Sequence, residues 1–515
     1  MIHDQDETIE FLKHARNYGL DGPVEILETH ISIIFLVADK AFKLKRAVKL
    51  PYADFSNPAE RLSFCLKEVV LNSQTAPELY LGVRRVTRAE SGALCFDGSK
   101  ETVDAVVEMK RFPQEHLFDR MAEAGRLTPA LMDATAGMIA NFHQNLTPVH
   151  AGSGSANVEA VLDINKRGFA TSRVFSDHEV QIFDDAFRTA FETHRRHLDR
   201  REAAGMIRRC HGDLHLRNIC LTEGGPRLFD CIEFNDQIAT VDVLYDLAFL
   251  LMDLWHRDLH DHANRVMNRY LDATGDEDGV ALLPFFMALR AAVRAHVVAT
   301  QAEVTVDKSN SLRQEARSYF DLALDLLGPP LSILIAIGGL SGSGKSTIAE
   351  ALAAHAGPAP GARIFESDRV RKAMFSVHAT ERLRPEAYKP EISDTVYKIL
   401  CDNAKTALKL RGTVIVDAVF DRPGTRDLIE QVANAAGVTF VGIWLSTDHS
   451  TLASRIKARR NSVSDATVEV LHMQEVNDVG AVDWRHIDAS RSVDAVVQLV
   501  QHEISIACNR ACRIG

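Results

Sequence analysis

Cysteine is scarce, eight in 515 residues with no CxxC spacing, which excludes a disulfide-stapled scaffold and a cysteine-based zinc site. Reduced thiols in a cytosol are the expectation. Long apolar runs are missing too: residues 331–340 and 244–254 are the most apolar stretches, and both are too short or too broken by acids for the roughly 20 residues of a membrane span. The N-terminus, MIHDQDETIEFLKHARNYG, has no basic segment followed by an apolar one, so no signal peptide is expected and the location is read as cytoplasmic, without membrane. Positive charge is also in deficit, with 59 Lys and Arg against 70 Asp and Glu. Up to residue 330 the counts are 37 basic and 49 acidic; beyond it they are 22 and 21. Neither part has the net positive field of a non-specific nucleic-acid binder, so nucleic acid is not the expected partner. Internal repeats and low-complexity tracts are absent.

What remains is the composition of an ordinary globular chain, 46% hydrophobic and 25% charged, long enough for more than one core. Leu326-Leu327-Gly328-Pro329-Pro330 ends a helical pattern and precedes the β-type run LSILIAIGG, so a new domain is expected from about 331. Before that seam, strand-like pieces at 30–37, 40–46, 81–86 and 103–109 surround one helix at 61–75, and helical periodicity dominates from 128 onward. After it, strands at 331–338, 362–366, 413–417 and 439–445 alternate with helices, as βαβ units on a parallel sheet do. The expected domains are 1–328, with a small lobe to about 110 and a large lobe from about 111, and 331–515.

The strongest motif is Gly339-Leu340-Ser341-Gly342-Ser343-Gly344-Lys345-Ser346, a GxxxxGK[ST] loop between an apolar strand and a helical pattern that begins at Thr347. Its glycines let backbone N–H groups curl around phosphate, Lys345 neutralises β/γ charge, and Ser346 can hold Mg²⁺. Gly339, Ser341, Gly342, Ser343, Gly344, Lys345, Ser346 and Thr347 are therefore the expected nucleotide contacts. Asp368 follows the next strand at the carboxyl edge of the sheet, where it can accept an acceptor hydroxyl's proton, although a Ser-Asp pair is also a common helix cap. Asp417 ends the strand TVIVD as a second acid for Mg²⁺. Arg455, Arg459 and Arg460 follow on a helical stretch, the first two spaced i, i+4 on one face. GLSGSGKST, ESDRVRK, VIVDAVF and RIKARR together resemble the P-loop small-molecule kinases related to zeta toxins, gluconate kinase and the kinase domain of polynucleotide kinase. That resemblance implies that Asp368 is the base and that Arg455 and Arg459 stabilise the transferring phosphoryl group.

His211-Gly212-Asp213-Leu214-His215-Leu216-Arg217-Asn218 resembles the catalytic loop of aminoglycoside phosphotransferases and of choline or homoserine kinase relatives. The D-x4-N spacing lets one carboxylate face an acceptor hydroxyl while the amide reaches a metal on ATP, making Asp213 the base and Asn218 a Mg²⁺ ligand. A short hairpin then returns the chain to Asp230, the second metal ligand; His211 is read as fixing the loop, and His215 as bonding nearby backbone. Of the two lysines on the strand KAFKLK, the V-A-I-K pattern favours Lys43 over Lys45, because Ala41 then occupies the small position facing adenine. Its helix partner is expected to be Glu68, with Glu60 as the alternative. A GxGxxG loop is missing, so residues 30–39 must cover the phosphates in another way. Asp242 and Asp246 are expected to brace the catalytic segment or line the acceptor pocket.

The combined reading is an α+β bilobal protein-kinase-like domain followed by an α/β P-loop NTPase domain with a mainly parallel sheet. The chain resembles bacterial fusions of an aminoglycoside phosphotransferase-like domain with a zeta-toxin or gluconate-kinase-like AAA-type domain. What the resemblance implies is two kinases that use ATP and Mg²⁺ on small hydroxyl-bearing molecules. One active kinase beside a nucleotide-binding regulator, and an ATPase switch acting on a protein partner, are the rival readings. Acceptor identity and oligomeric state are not encoded in these motifs.

Overall fold

The computed structural model describes residues 4–29, 31–50, 53–150, 152–304, 309–329, 331–409, 412–459 and 463–514. They fall into two compact units, Met1–Asp163 with Phe191–Asp253, and Ile164–Ala190 with Leu254–Gly515.

In the first unit six antiparallel strands lie in the order Glu25–Glu28, Ser32–Val37, Lys40–Lys45, Thr102–Lys110, Tyr80–Arg88 and Leu94–Phe96. The turn at Ala38 and Asp39 joins the second strand to the lysine strand, with Ala38 at φ 50°. One helix, Pro58–Asn72, covers the sheet: Asn57 caps it by accepting the Glu60 N–H at 2.9 Å, and Pro58 supplies a preset φ in its first turn. Arg61, wholly buried, forks onto both oxygens of Asp104 at 2.8 Å and so fixes the helix to the long strand. Further along, the strands Ile219–Thr222 and Gly225–Leu228 form the hairpin expected after the His211–Asn218 loop.

In the second unit five strands pair in parallel in the order Arg363–Glu366, Val414–Asp417, Ile333–Gly338, Thr439–Ser446 and Arg485–Asp488. Alternation along the central strand divides the core: Ile333, Ile335 and Ile337 pack with Ile348 and Leu352, while Leu334 and Ala336 pack with Leu400 and Trp444 on the other face. Among the described residues one helical segment, Glu277–Glu303, is long and apolar enough to cross a membrane; 67% of its most apolar window is buried inside the protein. None of the seven described cysteines forms a disulfide.

The compact units do not divide at the Pro329-Pro330 seam. Helices from Leu254 onward share a unit with the P-loop sheet, and side-chain bonds explain why. The sheet's edge strand, Arg363–Glu366, would present unpaired backbone groups. The helix His260–Thr274 meets them: Asn264 Nδ2 donates to the carbonyls of Pro360 and Ala362 at 3.0 Å, and Asn268 Oδ1 accepts the Ile364 N–H at 2.8 Å. Arg363 is buried beneath them, bonded to Asp272 at 2.8 Å and to Glu277 at 2.7 Å. Arg363→Ala leaves the largely buried Glu277 without its cation, while Asp272 keeps Arg269 at 2.6 Å, and breaking such a buried pair costs about 3 kcal/mol. The expected result is a lower thermal midpoint for the second unit, measured by calorimetry, with the first unit's transition unmoved.

Candidate active sites

The first site is built from four segments of the first unit. The lysine strand points Lys43 and Lys45 to one side, where Glu68 from the covering helix stands between them, 2.9 Å from the Lys43 Nζ and also bonded to Lys45. Lys43 continues to Asp230 and Lys45 to Glu233, so two cations and three acids form one chain of contacts. Burial pushes the Glu68 carboxyl up, but Lys43 and Lys45 together outweigh it and hold the group at about 2. Glu233, buried with Lys45 as its direct partner, is raised. Lys45 sits deeper than Lys43 and lies 5.5 Å from the centre of the Phe55 ring, whereas Lys43 reaches the half-exposed Asp230. Glu60 is exposed at the start of the helix, away from both lysines.

Asp230 has φ 61°, a strained backbone for a residue with a side chain, and its N–H donates to the Tyr80 hydroxyl at 3.0 Å. On the loop His211–Asn218, Asn218 Nδ2 donates to the Asp213 carboxylate at 2.8 Å and to its carbonyl at 2.9 Å. His215 Nε2 lies 3.2 Å from the same carboxylate, while its Nδ1 accepts the Arg217 N–H. His211 is buried, which lowers its pKa, and its Nε2 bonds the Phe229 carbonyl at 2.9 Å. Asp246 braces the loop from below by accepting the N–H groups of His211 and Gly212 at 3.1 and 2.8 Å. Asp253 does the same for Leu216 at 3.0 Å. Asp242 instead pairs with Arg201 at 2.6 Å and accepts the Leu244 N–H.

The second site surrounds the loop between Ile333–Gly338 and the helix Lys345–Ala353. Gly339, Gly342 and Gly344 have φ of 142°, 90° and 93°. A Cβ at Gly339 would meet the Leu445 carbonyl at 2.4 Å, and one at Gly342 the Leu452 carbonyl at 2.6 Å, so the loop's path requires glycine. Lys345 bends back to the Leu340 carbonyl at 3.2 Å, with its pKa lowered by burial. Ser346 Oγ donates to Asp417 at 2.6 Å. Thr347 is exposed in the helix's first turn, and Ser341 and Ser343 are buried in the loop. Asp368 lies in the first turn of the helix Ser367–Met374, and its charge acts on Lys345, Arg459, Asp417 and Glu366. Burial raises Asp417 to about 6 and, with Asp417 beside it, raises Glu366 to about 7. Among the described residues, Ser343 Oγ and Arg459 Nη1 are buried without a hydrogen-bond partner. Orphaned donors, left-handed glycines and desolvated acids beside desolvated cations make a cradle suited to phosphate with a divalent ion.

One expectation needs correction. Arg455 and Arg459 do not share a helix face, because the helix His449–Ala458 ends before Arg459, whose backbone is extended at φ −59°, ψ 136°. Arg455 donates to the Ala489 carbonyl at 2.8 Å, and Arg459 turns toward the acids. Arg460 lies outside the described residues. Motif reading missed Glu233, only three positions after Asp230, and Gln474, whose Oε1 accepts the Ser341 N–H at 2.9 Å. It also missed Glu366, which pairs with Arg369 at 2.8 Å.

Residues 86–283 match the phosphotransferase enzyme family and residues 334–476 match an AAA domain, so the two matches follow one another along the chain. The chain is similar to an "uncharacterized protein" of Mycobacterium tuberculosis (strain H37Rv) and to one of Mycobacterium bovis, each 28% identical over 458 residues, 87% of this chain and 88% of the relative. Among solved structures, a choline/ethanolamine kinase family protein from Mesorhizobium loti is 14% identical, covering 63% of this chain and 98% of its own, with TM-score 0.39. A gluconokinase from Sinorhizobium meliloti is 21% identical, covering 36% of this chain and 97% of its own, with TM-score 0.25.

The two lysines are expected to part in their effects. Lys45→Ala leaves Glu68 and Glu233 buried with less cation and lowers stability by about 3 kcal/mol in a denaturant titration, while Lys43→Ala, nearer the open side, mainly weakens nucleotide binding measured by calorimetry. For Glu366 the sign follows from its raised pKa of about 7, above the roughly 4.3 of an unfolded glutamate. The native state holds the extra proton, so this group's stabilisation is complete below about pH 4 and lost as pH rises through 7. Glu366→Gln is therefore expected to raise the melting midpoint at pH 8 and to leave it unchanged near pH 4.

Proposed function

We propose that each module transfers the γ-phosphoryl group of ATP to a hydroxyl group of a small molecule in the cytoplasm, without nucleic acid or membrane as partner. What supports this reading is that each unit holds a carboxylate, a lysine and a pair of oxygen-bearing side chains suited to serve as base, phosphate contact and metal ligands. In the first these are Asp213, Lys43, and Asn218 with Asp230; in the second, Asp368, Lys345, and Ser346 with Asp417. Glu68 orients Lys43, and the loop Gly339–Thr347 wraps phosphate through its backbone N–H groups. Arg459, with a donor unused, is suited to charge on the transferring group, and Arg455 supports the loop. In each reaction the acceptor O–H proton passes to the aspartate as the new O–P bond forms and the bond from Pγ to the ADP oxygen breaks. Bound Mg²⁺ would neutralise phosphate charge at each ligand pair. Catalysis by these residues is then positioning and charge stabilisation.

The test is phosphate transfer from ATP to a small-metabolite extract, followed by mass spectrometry, with wild type, Asp213→Asn and Lys345→Ala. Each variant is expected to lose one phosphorylated product by about 10²-fold or more and to keep the other. If one variant leaves all turnover intact, its module is a nucleotide-binding regulator. Hydrolysis with no phosphorylated product favours the ATPase switch.

A further inference from the structure

A second cluster of ligating side chains lies outside both sites, where the start of the helix His449–Ala458 meets the end of the helix Val468–Val476. His449 Nδ1 is 2.9 Å from both carboxylate oxygens of Glu475, and His472 Nδ1 is 3.7 Å from one of them. The two imidazoles stack with centroids 4.8 Å apart and planes inclined by 24°. One ligand atom from each of the three residues lies within 4.8 Å of the other two. Bonds of about 2.0–2.1 Å to a single tetrahedral ion would set its ligand atoms roughly 3.3 Å apart. Two of the three pairs already bracket that spacing, and all three side chains are exposed enough to close by small rotamer adjustments.

Charge and chemistry point the same way. Among the described residues, the ion pairs of Glu475 are with these two imidazoles and with no lysine or arginine. The two rings bring imidazole nitrogens to one side of the Glu475 carboxylate, whose negative charge would balance part of a bound cation's. A set of two nitrogens and one oxygen suits a borderline ion such as Zn²⁺ or Co²⁺, with water completing the shell, and is a poor match for Mg²⁺ or Ca²⁺, which take oxygen ligands. The cluster is thus chemically separate from the oxygen-only ligand pairs of the two proposed reactions.

Both helices also reach the phosphate loop. Gln474, beside Glu475 in sequence, accepts the Ser341 N–H at 2.9 Å, and Arg455 from the other helix donates to the Ser343 carbonyl at 3.5 Å. Leu340 and Ser343 of the loop line a cavity of about 230 Å³ together with Leu452, Gln474 and Glu475, so Glu475 belongs both to the cluster and to the wall of that cavity. We propose that His449, His472 and Glu475 form a site for a divalent transition ion, Zn²⁺ by preference, and that its occupancy fastens together the two helices that hold the phosphate loop. The ion is a tie between secondary-structure elements and takes no part in phosphoryl transfer.

The experiment is titration of the full chain with Co²⁺ and then Zn²⁺ in excess Mg²⁺, with wild type, His449→Ala, His472→Ala and the double variant. Wild type is expected to bind one equivalent saturably, to show the visible absorption of a low-coordinate Co²⁺ site, and to release Co²⁺ to Zn²⁺. Each single variant should bind at least about tenfold more weakly, and affinity should fall as pH drops below about 6 because only unprotonated imidazole ligates. Metal-free melting midpoints of the variants should match wild type, since the side chains are exposed. Hydrogen exchange in the peptides covering 339–347 should slow with Zn²⁺ in wild type and not in the double variant. Equal stoichiometry and affinity in wild type and double variant, or no saturable binding, would overturn the site; exchange that Zn²⁺ leaves unchanged would overturn the fastening. None of these readouts requires turnover, so a failure of phosphate transfer and a failure of this proposal are told apart.

Discussion

A carboxylate taken out of water needs a cation, and how completely that need is met distinguishes the two sites of this chain. In the first unit two lysines and three acids meet in one connected set, and Glu68, between both lysines, stays ionised. In the second, Asp417 and Glu366 are raised while Lys345 and Arg459 are lowered, all by burial. Glu366 pairs with Arg369, but among the described residues Asp417, Lys345 and Arg459 form no ion pair, and buried donors are left over. The first arrangement is internally paired, two lysines against three acids; the second is incompletely paired and suited to a ligand that carries phosphate charge together with a cation.

Local features were readable in advance because local chemistry makes them. GSGKS was legible because φ near 90° at Gly342 and Gly344 favours glycine, a constraint local to the loop. The loop His211–Asn218 and its hairpin are equally self-contained. The choice between Lys43 and Lys45 was harder: both share a face and both touch Glu68, and they differ in what comes from residues 230 and 233, almost 190 positions away. The shared face proposed for Arg455 and Arg459 failed because periodicity carried the helix one residue too far. The strand Arg485–Asp488 was not foreseen at all; it is short, largely exposed and polar, and exists because Thr439–Ser446 offers it an edge.

The same distinction separates sequence modules from packing units. The phosphotransferase match runs to residue 283, yet the chain from Leu254 packs with the P-loop sheet. Two prolines at 329 and 330 mark a break in the sequence pattern, and composition has no means of showing that asparagines at 264 and 268 complete a strand beginning at Arg363. Asn264, Asn268 and Asp272 lie on one helix at intervals of four, so a single face presents amide donors, an amide acceptor and a carboxylate in the order in which the strand's backbone and Arg363 receive them.

That face also orders events in time. Asp272 and Arg363 are 91 residues apart, so a ribosome releases the helix well before the strand that satisfies it. During that interval the amides and carboxylate remain hydrated, and the helix can finish docking only when the first two strands of the P-loop sheet have emerged. Vectorial synthesis therefore makes the C-terminal module a template on which the tail of its predecessor matures, and a nascent chain stalled before residue 363 would carry that tail unfinished.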